Sequence, residues 1–397
     1  MKKILVLFHD AGGGHRNAAV ALQTIVAQQQ RPWELELVQF QDLTDSLDVL
    51  RKLTGIRIQT LYNMMLQTGW TLGSQYVLRI LQATIRLFHG PLVRLLENYW
   101  REHPADLLVS VIPHFNRAIC ESWNAVYPGR PFVTLITDLA DYPPRFWIEP
   151  LQQQHIIAGT ERAAEQARAM GHDKSRIFQV SGMILRPDFY AEDTTDPIAL
   201  RKELGLHENL TTGLVLFGGH GARVMYSIAE RLDYAHLPLQ LILICGRNEK
   251  LAAKLRSHAW EMPVHIVGFT KEIPRLMRIA DFLIGKPGPG TIAEAVVRGL
   301  PVVVESNAWT LPQERFNTEW VREKRVGIVL KSFRHVVAGV RQMLDPETLA
   351  MFRRNTSALN NRAVFEIPGI LARFMDSRSS AETPEPEAGP IPVNTSA

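Results

Sequence analysis

The residues best placed to do chemistry sit at two glycine turns. In the first, Gly12, Gly13 and Gly14 are followed by His15 and a run of helix formers to Gln29. A histidine at a helix start feels the positive end of the dipole, which disfavours the imidazolium and keeps a neutral base available near neutral pH. That suits general-base work on a hydroxyl. Taken alone, the same turn reads as a histidine merely capping its helix. The second turn is Gly288-Pro289-Gly290-Thr291. Gly288 and Gly290 remove side chains where a diphosphate would approach the unpaired N–H groups of the following helix, and Lys286 brings a positive charge nearby. Thr291 is placed to cap a helix running to Arg298, and Glu294, three residues on, completes a capping-box pattern. A tight turn and nothing more is the plain alternative. Neither a Walker A sequence nor GxGxxG is present, which disfavours a kinase-like P-loop and a standard NAD fingerprint.

The elements that must carry these turns follow from periodicity. Lys3 to Phe8 is a short apolar run that stops at the glycines, so it predicts strand, turn, helix. Trp33 to Phe40 alternates, and Leu107 to Ile112 and Phe132 to Ile136 are further strand-like runs separated by helical stretches. The second half repeats the scheme: Thr212 to Phe217, the turn Gly218-Gly219-His220-Gly221, a helix to about Leu232, then strands at Leu239 to Ile244, Val264 to Val267, Asp281 to Ile284 and Pro301 to Val304. Each half thus has its own strand, glycine turn and helix, the signature of an α/β fold with parallel sheets. The polar stretch from Ala191 to Asn209 is the expected seam, giving units at 1–190 and 191–375. From residue 376 onward, prolines mixed with serine, glutamate and alanine predict a disordered tail.

Composition agrees. At 397 residues the chain suits two domains, and 46% hydrophobic with 21% charged residues is ordinary globular usage. Two cysteines, Cys120 and Cys245, are too few for a disulfide framework and lack metal-ligand spacing. The N-terminal apolar run meets His9 and Asp10 after a few residues and reads as a strand, not a secretion signal. The longest uncharged stretch, Ile58 to Leu78, is too polar to span a bilayer. The net charge of +4 is modest and no nucleic-acid-binding motif is present, so no nucleic acid partner is expected. The charge is unevenly placed, however. Between Arg51 and Arg101 seven bases face one acid, interleaved with Leu61, Tyr62, Met64, Met65, Trp70, Tyr76, Leu87, Phe88 and Trp100. That mixture fits an anionic membrane surface; a buried core with a solvated arginine face is the alternative.

The words around the turns go further. GFTKEIPRLMRIADFLIGKPGPGTIAEAVVRGLPVVV at 268–304 closely resembles the donor-site region of the galactosyldiacylglycerol synthase branch of GT-B glycosyltransferases, which are related to the peptidoglycan N-acetylglucosaminyltransferase. DAGGGHRNAA at 10–19, CGRN at 245–248, PQERFN at 312–317 and NRAVFEIP at 361–368 are similar to that branch too. The resemblance covers most of residues 1–375 and is weaker between 42 and 110. It implies two Rossmann-like domains facing a cleft, with a UDP-sugar held by the second. It implies further that Gly288, Pro289, Gly290 and Thr291 hold the diphosphate with Lys286, Glu294 the ribose hydroxyls, Gly268 and Phe269 the uracil edge, and Gln313 with Glu314 the hexose. Gly14, Gly218 and Gly219 join the donor-contacting set. A carboxylate suits a vicinal diol because it accepts two hydrogen bonds. The implied chemistry is a single inverting displacement needing one base. His15 is the first choice, and Asp138, in TDLADYPP at 137–144, is the second, as base or as orienting partner, with a plain cap or turn role equally open. Helix amides and Lys286 can stabilise leaving UDP, so no metal or other cofactor is required.

Three departures from the family pattern concern the acceptor and the sugar. Tyr142 precedes Pro143 where a His-Pro pair is usual after TDL, Pro113 and His114 stand in SVIPHFNRA where His-Pro is usual, and FGGHGA has His220 and Gly221 where an acid is common. The expected activity is transfer of galactose or glucose from a UDP-hexose to diacylglycerol or a similar lipid, by a peripheral enzyme on the cytoplasmic side of a membrane. A transferase acting on a polyprenyl-linked precursor, or a non-catalytic nucleotide-sugar-binding protein, is the alternative.

Overall fold

The computed structural model describes residues 1–10, 13–44, 85–150, 152–192 and 194–376. The tail beyond Asp376, and the part of the basic segment from 51 to 84, lie outside the described residues.

Two six-stranded sheets are formed, each wholly parallel. The first contains β1 (Lys2–Phe8), β2 (Trp33–Gln39), β3 (Leu107–Ser110), β4 (Phe132–Leu135), β5 (His155–Ala158) and β6 (Ile177–Gln179), in the order β2-β1-β3-β4-β5-β6. The second contains β7 (Thr211–Leu216), β8 (Leu239–Ile244), β9 (Val264–Val267), β10 (Phe282–Gly285), β11 (Val302–Glu305) and β12 (Gly327–Leu330), in the order β12-β11-β10-β7-β8-β9. This second order is the doubly wound dinucleotide-fold order, and the α/β class is as expected. Strands β3, β4, β7, β8 and β10 are buried along their whole length or nearly so, because helices cover both faces. Ile4, Val6, Val109 and Val133 pack on one face of the first sheet, and Leu5, Leu7, Leu108 and Phe132 on the other.

Three strands escaped the sequence reading. They are β5, β6 and β12, each three or four residues long.

The C-terminal helix, Ala363–Asp376, differs from the 191–375 expectation. Its Ala363, Val364, Ile367, Leu371 and Met375 are buried in the core of the first sheet. The chain crosses near 181–196 and returns near 359–363, and the two crossings are knitted together. Ser181 N–H donates to Glu366 Oε2 at 2.9 Å, Arg362 N–H donates to Ser181 Oγ at 2.6 Å, and Asn361 Nδ2 donates to the Met183 carbonyl at 2.8 Å.

Trp100, placed above among possible membrane-facing residues, belongs to the core. It is fully buried and its indole N–H donates to Ser122 Oγ at 2.9 Å. Leu87 is 78% exposed and Arg86 is exposed. Among the described residues no helix is long and apolar enough to cross a membrane.

Candidate active site

In a parallel sheet the strand order reverses at one point, and the carboxyl ends there leave a crevice. In the second sheet this point lies between β7 and β10. The turn after β7 holds Gly218 and Gly219; the turn after β10 holds Lys286, Gly288 and the start of the helix Pro289–Val297. Gly218 has φ 74°, a backbone that side chains rarely adopt. Gly246 backs this loop, since a Cβ there would collide with the Gly219 carbonyl. A Cβ on Gly288 would meet Lys286 Cε at 3.4 Å and Glu314 Oε1 at 3.7 Å, so the glycine leaves backbone bare beside a charge pair. In that pair Lys286 Nζ lies 3.3 Å from Glu314 Oε1. Asn317 Nδ2 donates to the Pro287 carbonyl at 2.9 Å and ties the turn to the helix Pro312–Glu323, which also carries Gln313 and Glu314.

Thr291 does not cap the helix. Gly288 is the N-cap, with Pro289 at the first helical position, so Thr291 lies one turn inside and the capping-box reading of Glu294 falls. Glu294 is instead half-buried, and burial pushes its carboxyl up to about 7, with the Arg186 guanidinium opposing. Gly268 follows β9, and the Phe269 ring is 56% exposed with the Arg247 guanidinium 5.1 Å from its centre.

The first sheet reverses between β1 and β3, and its loops place side chains where the second sheet places glycine. Gly13, at φ 83°, is the N-cap of the helix Gly14–Gln28, and His15 is that helix's second residue. His15 Nδ1 is 3.1 Å from Thr137 Oγ1, and its ring lies 5.7 Å from Trp147. Burial, then the neighbouring His9 and His114 rings, push its pKa down to about 3, so the imidazole is neutral through the working range. The sequence reading credited the helix dipole; burial comes first.

Asp138 does not bond His15. Its Oδ2 accepts the Trp147 indole N–H at 2.8 Å, so Trp147 touches both residues. Burial raises Asp138 to about 7; Trp147 opposes, the Glu314 and Asp141 charges raise it further, and Lys286 lowers it. Lys286 lies in the turn after β10 and Glu314 in the first turn of the helix Pro312–Glu323, both at the second sheet's carboxyl edge. The two carboxyl edges therefore face each other closely enough for their charges to act across the gap.

The loop from Thr137 to Glu149 is fixed by a buried carboxylate. Asp141 accepts the N–H groups of Trp147 at 2.6 Å and Arg145 at 2.9 Å, while Gln166 bonds both the N–H and the carbonyl of Asp141. Burial holds Asp141 up at about 6 despite these donors. Asn116 Nδ2 donates to the Trp147 and Ile112 carbonyls, each at 3.0 Å, and joins this loop to the one after β3.

Known proteins match this arrangement. The profile of the Glycosyltransferase family 28 C-terminal domain matches residues 213–308. Monogalactosyldiacylglycerol synthase 1, chloroplastic, of Arabidopsis thaliana is 29% identical over 412 residues, which is 96% of this chain and 72% of that protein. Monogalactosyldiacylglycerol synthase, chloroplastic, of Spinacia oleracea is 30% identical over 398 residues, 92% of this chain and 71% of the relative. The chain belongs to the monogalactosyldiacylglycerol synthase family. It is a glycosyltransferase. Among solved structures, Acinetobacter baumannii MurG superposes with a TM-score of 0.59 at 11% identity, over 94% of this chain and all of that one, a likeness of fold.

Within this monogalactosyldiacylglycerol synthase family member, sequence reasoning missed Trp147, Thr137, Asp141, His9 and Arg186 as parts of the two edges, and noted His114 only as a departure near the acceptor or the sugar. Trp147 and Asp141 lie within eleven residues of Asp138, so the TDL word could have pointed to them. His9 and His114 come from other loops, and only the topology brings them in.

Proposed function

We propose that this protein transfers a hexose, galactose in view of its relatives' names, from UDP to the free hydroxyl of diacylglycerol, with inversion. The observation that carries the reading is that a neutral imidazole, His15, stands on one carboxyl edge while the first free helix amides, those of Gly290 and Thr291, stand on the other, with Asp138 of the first edge feeling Lys286 and Glu314 of the second. The diphosphate lies against the Gly288–Thr291 turn, taking the free N–H groups of Gly290 and Thr291, and against Gly218–Gly219, near Lys286; Glu294 takes the ribose hydroxyls, Gly268 and Phe269 the uracil, and Gln313 and Glu314 the sugar.

The acceptor oxygen attacks the anomeric carbon as the bond to UDP breaks. His15 takes the hydroxyl proton, and UDP leaves with the bonding pair, its charge met by the helix N-terminus and Lys286. No metal is needed for this route. Asp138 acts beside the reacting centre, where an ionised carboxylate stabilises the imidazolium that forms. Closure of the cleft excludes water from the anomeric carbon. The enzyme works from the cytoplasmic side as a peripheral protein, drawn to anionic lipid by the basic 51–101 segment.

The test is to incubate the purified protein with vesicles containing diacylglycerol and each of UDP-galactose, UDP-glucose and UDP-N-acetylglucosamine, and to identify products by mass and sugar analysis. A β-linked galactolipid is expected. A product on another lipid class, or none, would overturn the reading.

A further inference from the structure

His114 stands in the loop after β3 with φ 69°, a left-handed backbone uncommon for any residue with a side chain. The constraint is visible. Its N–H donates to the Phe146 carbonyl at 2.6 Å, and its ring meets the Phe146 ring edge-on with centroids 4.2 Å apart. Phe146 leads on to Trp147, at 6.2 Å between rings, and Trp147 to His15 at 5.7 Å. His114 therefore shares the edge on which the base stands, and its charge state acts on His15.

The imidazole has no bonding partner among the described residues. Its Nδ1 is sealed from water and unpaired, whereas Nε2 is not sealed. Burial and the nearby His9 keep the ring neutral, so it carries one proton. A stranded N–H in an apolar wall is costlier than a bare lone pair, and water can still satisfy Nε2. The proton therefore sits on Nε2, and the side chain presents one neutral donor.

We infer that His114 recognises the lipid acceptor by donating its Nε2–H to an ester carbonyl next to the hydroxyl that attacks. This rests on the diacylglycerol reading above. A diacylglycerol offers one hydroxyl, whose proton goes to His15, and two ester carbonyls, which accept but cannot donate. A neutral donor on a half-apolar loop suits such a carbonyl, because neither partner brings a charge that would have to be desolvated. Backbone strain at the same residue holds the ring in place before the lipid arrives.

The experiment compares phosphatidylcholine vesicles carrying dioleoylglycerol with vesicles carrying the corresponding diether, which keeps the hydroxyl and chains and lacks the carbonyls. For the unaltered protein, kcat/KM should favour the ester by about ten-fold, the scale of one hydrogen bond to a buried group. In His114→Gly, whose backbone suits φ 69°, the ester rate should fall to the ether rate, with UDP affinity and melting temperature unchanged. His114→Asn, also at ease at positive φ, gives the same comparison should the glycine variant not fold. An ester-to-ether ratio near one in the unaltered protein, or a ratio that survives in the variants, would overturn the inference while leaving the transferase reading intact. Absence of any transfer to dioleoylglycerol by the unaltered protein would overturn both.

Discussion

The two carboxyl edges are built on opposite principles. The second sheet meets the cleft with glycine: Gly218, Gly219, Gly288 and Gly290 bare the backbone, and Lys286 and Glu314 are the main charges beside them. The first sheet meets it with buried titratable side chains: His15, His114, Asp138 and Asp141 around Phe146 and Trp147, and His9 against Phe40 and Phe115. Main-chain amides and a helix dipole are invariant with pH and fit any diphosphate. Side chains with displaced pKa values are what proton transfer and acceptor choice require. One edge is suited to gripping, the other to reacting.

That division can be broken experimentally. The sharpest break is His15→Ala, which should lower kcat by about a thousand-fold, the range general-base removal costs, with the dissociation constant for UDP within about two-fold of the unaltered value. Kinetics and calorimetry on the same preparation check this. A parallel loss of UDP binding would mean that the first edge also grips the nucleotide. Next comes Glu294→Ala, which should weaken UDP binding by about ten-fold with a small effect on kcat, through loss of a charge-assisted pair of hydrogen bonds to the ribose. Equal turnover and equal UDP affinity would remove that assignment.

Asp141→Ala should lower unfolding free energy by about 2–3 kcal/mol, because the N–H groups of Arg145 and Trp147 lose their acceptor inside the protein. Urea melts check this, and the variant should lose turnover faster than it loses UDP affinity. The smallest effect concerns the membrane. Arg86→Ala should weaken binding to anionic vesicles by about five-fold at low salt, at about 1 kcal/mol per base. Unchanged sedimentation would confine any such contact to other residues.

The same contrast explains what could be read in the sequence. The glycine edge was legible because its turn is contiguous: Lys286 to Glu294 are nine successive residues whose types follow from backbone needs. Even there the helix start was misjudged by two residues. Thr291 has the stronger capping chemistry, but the extended Gly288 followed by Pro289 starts the helix earlier. The reacting edge was only half legible. His15 and Asp138 stood out, yet their link runs through Thr137 and Trp147, and His9 and His114 arrive from loops after different strands. Periodicity says nothing about which loops meet. Likewise, no pattern in Ala363–Asp376 distinguishes an apolar helix face that packs on its own half from one that returns to the other.

The proposed transfer requires the two edges to confront each other, and Asp138 reports that directly. In the proposed mechanism the ionised form of Asp138, whose carboxyl burial raises to about 7, favours transfer, so kcat/KM should fall as pH drops through that region. Lys286 stabilises the ionised form and Glu314 opposes it. The deciding measurement is the acid limb of kcat/KM in the unaltered protein, Lys286→Met and Glu314→Gln. The limb should move to higher pH in Lys286→Met and to lower pH in Glu314→Gln, whatever the fall in absolute rate. Three coincident limbs would mean that the second lobe's charges never reach the first lobe's carboxylate, and the facing-edge account would be wrong.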